Sequence, residues 1–390
     1  KARSMDLFAF LTNHFSMNGS RSFNWNTASP HPKWILMAVL LAGTIASCNR
    51  TPDEPEITAD STPYQLVFPA HVTPPILPAD NPLTQAKVEL GRMLFHETAL
   101  SGDETMSCAT CHLQSAGFSD TARFSIGIQG LPGHRQAMAV SNMAWNSNRF
   151  FWDGRAELLR HQSLLPIEDE LEMDENLDDV IAKLSVESEY VDQFTRAFGD
   201  GNITPERISL TLEQFMLSIV SYGSRYDQHL AGESVLNESE LRGLDLFFME
   251  YNPFFPEFSG ADCAHCHSGI NFENDDFMNN GLDSDAAMQD SGFMVVTGSP
   301  QDRARFKVTS LRNIELTPPY MHDGRFATLE EVVDHYNEGI QLSATVDPAL
   351  AATQETGLLL DEQDRLDLVA FLKCLTDPTL AENPQYKSPF

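Results

Sequence analysis

Two pentapeptides of this chain place reactive residue types at a fixed spacing: Cys108-Ala-Thr-Cys111-His112 and Cys263-Ala-His-Cys266-His267. Each is a Cys-x-x-Cys pair followed at once by His, the c-type haem attachment pattern. The spacing has a mechanical reason. Both thiols must reach the two vinyl groups on one edge of a porphyrin, and the next His then rises beneath the iron as proximal ligand. A zinc ribbon would set its two knuckles about 15–20 residues apart, whereas 151 residues separate Cys111 from Cys263. A thioredoxin-like pair needs a βαβ context and no following His, and neither copy has that setting. Two covalently bound haem c groups are expected.

The remaining cysteines have simpler readings. Cys374 lies in an apolar-periodic segment and reads as a small buried hydrophobe. Cys48 ends an apolar run that begins at Trp34, behind Lys33; the run is too short to span a bilayer and closes in small residues, as export signals do. Ile45-Ala46-Ser47-Cys48 resembles a bacterial lipobox, in which the Cys is lipidated. The expectation is a leader and signal peptide over 1–47 and a Pro-rich, acidic tether over 48–80. That places the protein on the periplasmic side of a Gram-negative bacterium, as a lipoprotein touching the membrane only through its anchor.

Charge narrows the partners. Asp+Glu 56 against Lys+Arg 25 gives a net −31. Nucleic acid requires a basic face and is excluded as a partner, whereas a basic redox protein would be steered toward this surface.

The elements that must position the two motifs repeat. Phe151-Trp152-Asp153-Gly154-Arg155 follows the first motif and Met321-His322-Asp323-Gly324-Arg325 the second, the Asp residues 45 and 60 positions beyond the first Cys of each. Each copy closes on an amphipathic helix, Pro205 to Val220 behind a Thr204 cap and Glu362 to Leu375 behind Asp361. Strand-like alternation is scarce. The fold class expected is all-α, with two cytochrome c-like domains at 81–228 and 229–376, and a disordered tail over 377–390. A buried macrocycle supplies apolar surface that such small domains cannot easily assemble from side chains.

Leu90-Gly-Arg-Met-Leu-Phe95, Ser107 to His112, Phe151 to Ala156, Glu172-Met173, Cys263 to Gly269, Lys307 to Asn313 and Pro319 to Gly324 together resemble the bacterial di-haem cytochrome c peroxidase/MauG family, from about Leu83 to Leu375. The resemblance implies an N-terminal haem that meets hydrogen peroxide and a C-terminal haem that receives or stores electrons. It assigns Trp152 as the relay between them. Glu172 becomes the group that moves a proton between the peroxide oxygens, chemistry that needs a carboxyl within hydrogen-bond reach. A small cytochrome c or a cupredoxin is the implied donor, and a homodimer is compatible with the family.

Departures from the family pattern carry consequences. Where members with a blocked resting state place a distal His after Ser-Ile-Gly, this chain has Ile128, which cannot ligate iron; His134 on the same Gly-rich loop is the rival. Where electron-transferring members place Met, the alignment of Thr328 to Tyr336 puts Tyr336, as in the MauG branch, with His335 beside it about 100° away on a helix. An oxygen donor such as Tyr favours higher oxidation states than Met does. The family's calcium site maps to Thr317 and Pro319 carbonyls and to Gln136 in place of Asn. The leading expectation is a peroxidase. A MauG-like oxidase that modifies a partner protein is the alternative, and a non-catalytic electron carrier or redox sensor is the third.

Overall fold

The computed structural model describes residues 57–390, and Glu56–Phe390 form one compact unit. The leader and Cys48 lie outside the described residues. None of the described helices is long and apolar enough to cross a membrane. The chain is mostly helical: α1 (Gln85–His96), α2 (Leu159–Glu168), α3 (Leu177–Val186), α4 (Ser188–Phe198), α5 (Pro205–Ser218), α6 (Arg225–Leu230), α7 (Glu238–Phe248), α8 (Leu329–Asp334) and α9 (Glu362–Lys373). Among the described residues the only sheet is a two-stranded antiparallel ribbon, β1 (Phe277–Met278) with β2 (Phe306–Lys307).

Helix starts follow local chemistry. The Thr204 hydroxyl accepts from the Arg207 amide at the head of α5, where Pro205 supplies a preset φ at the first helical position. Asp361 and Asp364 form a reciprocal capping box on α9. These two closing helices occupy the same place in two hydrophobic cores. α1 lies across α5 in the first core, and α7 lies across α9 in the second.

Both crossings pivot on a glycine. A Cβ on Gly91 would sit 2.0 Å from the Thr211 carbonyl oxygen of α5, and one on Gly243 would sit 1.9 Å from the Asp367 carbonyl oxygen of α9. Backbone therefore touches backbone at each crossing. Gly243→Val should push α7 off α9 and cost at least about 1–3 kcal/mol, read as a lower melting temperature of the second half. A variant as stable as the parent would contradict this close contact.

The segments expected as free ends are docked instead. Tyr64, Leu66 and Leu77 lie against the first core, and Val72 is buried. At the other end Leu380 and Tyr386 are buried members of that same core; the Tyr386 hydroxyl donates to the Ser218 carbonyl (3.2 Å) and accepts from the Val220 amide (3.1 Å). Isolated apolar residues in Pro-rich sequence have no periodicity to reveal them, yet each removes enough surface from water to anchor a strap.

Candidate functional site

The first motif starts a single helical turn, Cys108–Cys111, behind Ser107, whose amide donates to the Thr110 hydroxyl (3.0 Å). The turn brings Cys108, Cys111 and His112 to one cavity, whose apolar wall includes Phe95, Val140 and Leu212. Burial pushes the Cys108 thiol up to about 12 and Cys111 to about 11. Both are protonated at neutral pH. The His112 ring donates its Nδ1–H to the Phe118 carbonyl (3.0 Å), which leaves Nε2 with a free lone pair, and burial holds the ring's pKa below the usual histidine value.

Glu172 lines this same cavity. It sits in the turn after α2, where its amide donates to the Asp169 carbonyl (2.9 Å) and its carbonyl accepts from the Ile128 amide (2.9 Å). The Ser125 to Ile128 loop is laid so closely on the turn that a Cβ on Gly127 would be 2.1 Å from the Leu171 carbonyl oxygen. Burial raises the Glu172 carboxyl to about 6, helped by repulsion from Asp169 and opposed by Arg155. Neither Ile128, whose amide is tied to the Glu172 carbonyl, nor its rival His134, which is exposed, lines the cavity.

The second motif opens onto a larger cavity, lined by Cys263, Cys266, His267 and Tyr336 together with Met278 and Met321. Here burial pushes both thiols up to about 12 and lowers His267 to about 4. The His267 Nδ1–H is shared between the Phe272 and Thr309 carbonyls, each at 3.1 Å. Orienting the proximal ring through Nδ1 is thus the same device in both halves.

The structure separates Tyr336 from His335. The chain over His335–Gly339 widens into a π turn, a feature frequent at functional sites. Tyr336 faces the cavity, with its hydroxyl 3.4 Å from Asn280 Nδ2, and burial pushes its pKa up. His335 is buried off the cavity and its ring Nε2–H donates to the Asn280 carbonyl (3.0 Å). Asn280 Nδ2 also donates to Met321 Sδ (3.2 Å). Sequence reasoning missed Asn280, Met278 and Met321. For Met321 a signal existed, since it occupies the position in the second repeated turn that Phe151 holds in the first.

Those two turns are conformational copies. Phe151 and Met321 have φ of 67° and 75°, and Gly154 and Gly324 have 68° and 61°. Phe150 and Tyr320 donate their amides to Ala156 and Phe326, both at 2.8 Å. Trp152 and His322 are therefore equivalent, and they meet: their ring centroids are 6.4 Å apart, edge to face, beside the second cavity. The Gln136 amide donates to the His322 carbonyl (2.8 Å), and the Lys307 amide donates to the Trp152 carbonyl (2.9 Å). Each half thus holds the other's turn in a reciprocal exchange. The Trp152 indole donates to the Gln136 carbonyl (2.8 Å), and the Gln136 side chain donates to Ser119, next to the carbonyl that orients His112.

For calcium the picture differs. The Gln136 amide nitrogen is engaged by Ser119 (2.7 Å) and the Asp120 carbonyl (3.3 Å), and the Thr317 hydroxyl donates to the Ile314 carbonyl (3.3 Å). No group of three His, Cys, Asp or Glu side chains is spaced for a metal ion among the described residues.

Comparison with known proteins accords with this geometry. Residues 85–235 match the family model described as di-haem cytochrome c peroxidase. The chain is 35% identical over 311 residues to the methylamine utilization protein MauG of Methylorubrum extorquens, covering 79% of this chain and 83% of that protein. It is 35% identical over 323 residues to the cytochrome c551 peroxidase of Nitrosomonas europaea, covering 81% and 86%. Among solved structures, a MauG-like protein associated with microbial copper homeostasis is 33% identical with a TM-score of 0.76, over 84% of this chain and 99% of that one. The diheme peroxidase BthA of Burkholderia thailandensis, 22% identical with a TM-score of 0.65 over 85% and 95%, shares the fold.

Proposed function

The chain belongs to the di-haem cytochrome c peroxidase/MauG family, and from that premise we propose that it reduces hydrogen peroxide to water at the first cavity with electrons admitted through the second. The observation that carries the reading is Glu172, a carboxyl raised to about 6 in the same cavity as Cys108, Cys111 and His112. The donor sets fit haem c at both motifs: paired neutral thiols for thioethers, and an imidazole fixed through Nδ1 with Nε2 free for iron. When bound, the haem supplies the redox chemistry of peroxide cleavage and the one-electron steps that refill it.

The chain's own residues supply the rest. Glu172 takes a proton from the near peroxide oxygen and returns it to the leaving oxygen, which requires a carboxyl that exchanges protons near the working pH. Apolar walls keep bulk water from competing. Trp152 lies between the halves and gives electrons an aromatic path. Glu172, not His134, is the polar group that meets peroxide. A small cytochrome c or cupredoxin supplies the electrons. The protein works on the periplasmic side, held through a lipid on Cys48. Steady-state turnover of peroxide with a panel of reduced small cytochromes tests this reading: rapid oxidation of a donor supports it, and absence of turnover with every donor contradicts it.

Tyr336 at the second cavity favours a second reading, a MauG-like oxidase that spends stored oxidising equivalents on a partner protein. In that case the peroxide-oxidised state is long-lived and small donors turn over poorly. Under either reading Tyr336→Phe should remove the oxygen-donor signature from the absorption and paramagnetic resonance spectra of the C-terminal haem and shorten the life of the oxidised state. His335→Ala should leave the spectra as they were. The reverse pattern would move the ligand to His335.

A further inference from the structure

From Gly243 to Asp302, the stretch that contains the second Cys-x-x-Cys-His motif, the chain carries eleven Asp or Glu residues and no Lys or Arg. Within it, the loop between α7 and Cys263 turns three aromatic rings toward solvent: Phe254 is 85% exposed, Phe255 57% and Phe258 66%. Full burial of such a ring is worth about 1.5–3 kcal/mol, so three together outside a core call for a partner.

The loop that displays them is braced. The Gly260 amide donates to the Glu250 carbonyl and the Asp262 amide to the Met249 carbonyl, both at 3.0 Å, closing its base. A Cβ on Gly260 would lie 2.3 Å from the Met249 carbonyl oxygen, so the base needs glycine. Asn252 Oδ1 accepts from the Phe254 and Phe255 amides (3.1 Å each), and the Asn252 amide donates to the Ser259 hydroxyl (3.0 Å). The rings are therefore held out by a preorganised turn, which lowers the ordering cost of binding. Both legs of the loop reach the second cavity: Tyr251 on one side and Ala261 to Cys263 on the other line it.

We propose that Phe254, Phe255 and Phe258, set in this acid-rich stretch, where Asp275, Asp283, Asp290 and Asp302 are paired to cations from elsewhere in the fold but no ion pair engages Asp245, Glu250 or Glu257 among the described residues, are the docking face for a small basic electron-transfer protein. The partner seats an apolar patch on the rings while its lysines meet Asp245, Glu250 and Glu257, all exposed around the loop. Charge selects this occupant. A second copy would bring the same negative field against itself, and an anionic lipid surface would be repelled. An apolar centre within a charged rim is the usual anatomy of a transient interface, with aromatic residues as its anchors. The inference rests on the second cavity being where electrons enter.

The test uses the mature holoprotein and a triple variant, Phe254→Ser, Phe255→Ser and Phe258→Ser. Their Kd values for a strongly basic, lysine-ringed cytochrome c are measured without peroxide, at low and at physiological salt, with an acidic cytochrome c as the control probe. The triple variant should bind the basic cytochrome at least about tenfold more weakly. Both proteins should lose affinity as salt rises, and the acidic cytochrome should not bind. Haem spectra and peroxide turnover with a small-molecule donor should match the parent's, which excludes misfolding. An unchanged Kd overturns the proposal. So does self-association of the parent that the variant abolishes, which would assign the rings to a second copy. Binding of the parent, but not the variant, to neutral phosphatidylcholine vesicles would overturn it too. Should the parent fail to turn over peroxide with the small-molecule donor, the peroxidase reading fails while the Kd comparison still decides the docking face.

Discussion

Glu172→Gln should lower kcat for peroxide reduction by about two to four orders of magnitude, the usual weight of a positioned acid–base group, with both haem spectra unchanged. Gln keeps the volume and hydrogen-bonding reach of Glu but exchanges no proton, so the loss isolates proton transfer. Direction of pH dependence follows from the environment. Burial raises this carboxyl to about 6, so the base form is lost as pH falls through about 6, and the parent's rate should fall with it. That acid limb should be missing from the variant's residual activity. A Gln variant within tenfold of the parent, or one that keeps the limb, would show that another group handles the proton.

Arg312→Met should cost about 3–5 kcal/mol of stability, the usual effect of orphaning a buried charge. Arg312 is 3% exposed and Asp227 2%; Nη1 and Nη2 of the guanidinium donate to the two carboxylate oxygens at 2.9 and 3.0 Å. Against burial, which pushes it up, the Arg312 charge holds Asp227 below the usual carboxylate range. The His71 ring approaches the same carboxylate at 3.3 Å, and the guanidinium lies over the Tyr222 ring at 4.1 Å. Removing Arg312 thus unsettles the N-terminal strap, helix α6 and the Ile270 carbonyl it also holds (2.8 Å) together. A folded pKa below 3.8 means that this carboxylate's share of stability is complete above that pH and is lost as acid protonates it. Chemical denaturation at neutral pH measures the loss. A variant within 1 kcal/mol of the parent would contradict the account of the strap.

What the sequence makes legible is what short-range chemistry writes contiguously. Covalent attachment to one porphyrin edge forces two Cys and a His into five residues, so both ligand sets read directly and fall in the two cavities. The repeated Asp-Gly-Arg turns read because each places its Gly at positive φ, and the closing helices because Thr204 and Asp361 cap them. Glu172 is one acid in a run, and only the resemblance picked it out. Its inward aim comes from the Asp169 carbonyl and from the Ile128 loop laid on its backbone, while Glu168 and Glu170 stay exposed.

The rest is long-range. Asp227 meets Arg312 and His71 across separations of 85 and 156 residues, with no local pattern to announce either. Gly243 matches Gly91 only once α7 is seen across α9. Asn280 is an ordinary polar residue in sequence. Only the fold puts its side chain between Tyr336 and Met321 and its carbonyl on His335. The docked ends escape the sequence for the same reason: a few anchoring Leu and Tyr side chains in Pro-rich segments carry no period.

Intact-mass spectrometry of the mature protein, produced in a host competent for cytochrome c assembly and unfolded in acid before measurement, decides whether each Cys-x-x-Cys-His motif holds a haem through thioethers. The expected mass is that of a chain carrying two haems that survive denaturation, reduced to one by Cys263→Ala with Cys266→Ala and to one by Cys108→Ala with Cys111→Ala. A denatured chain free of haem would contradict it.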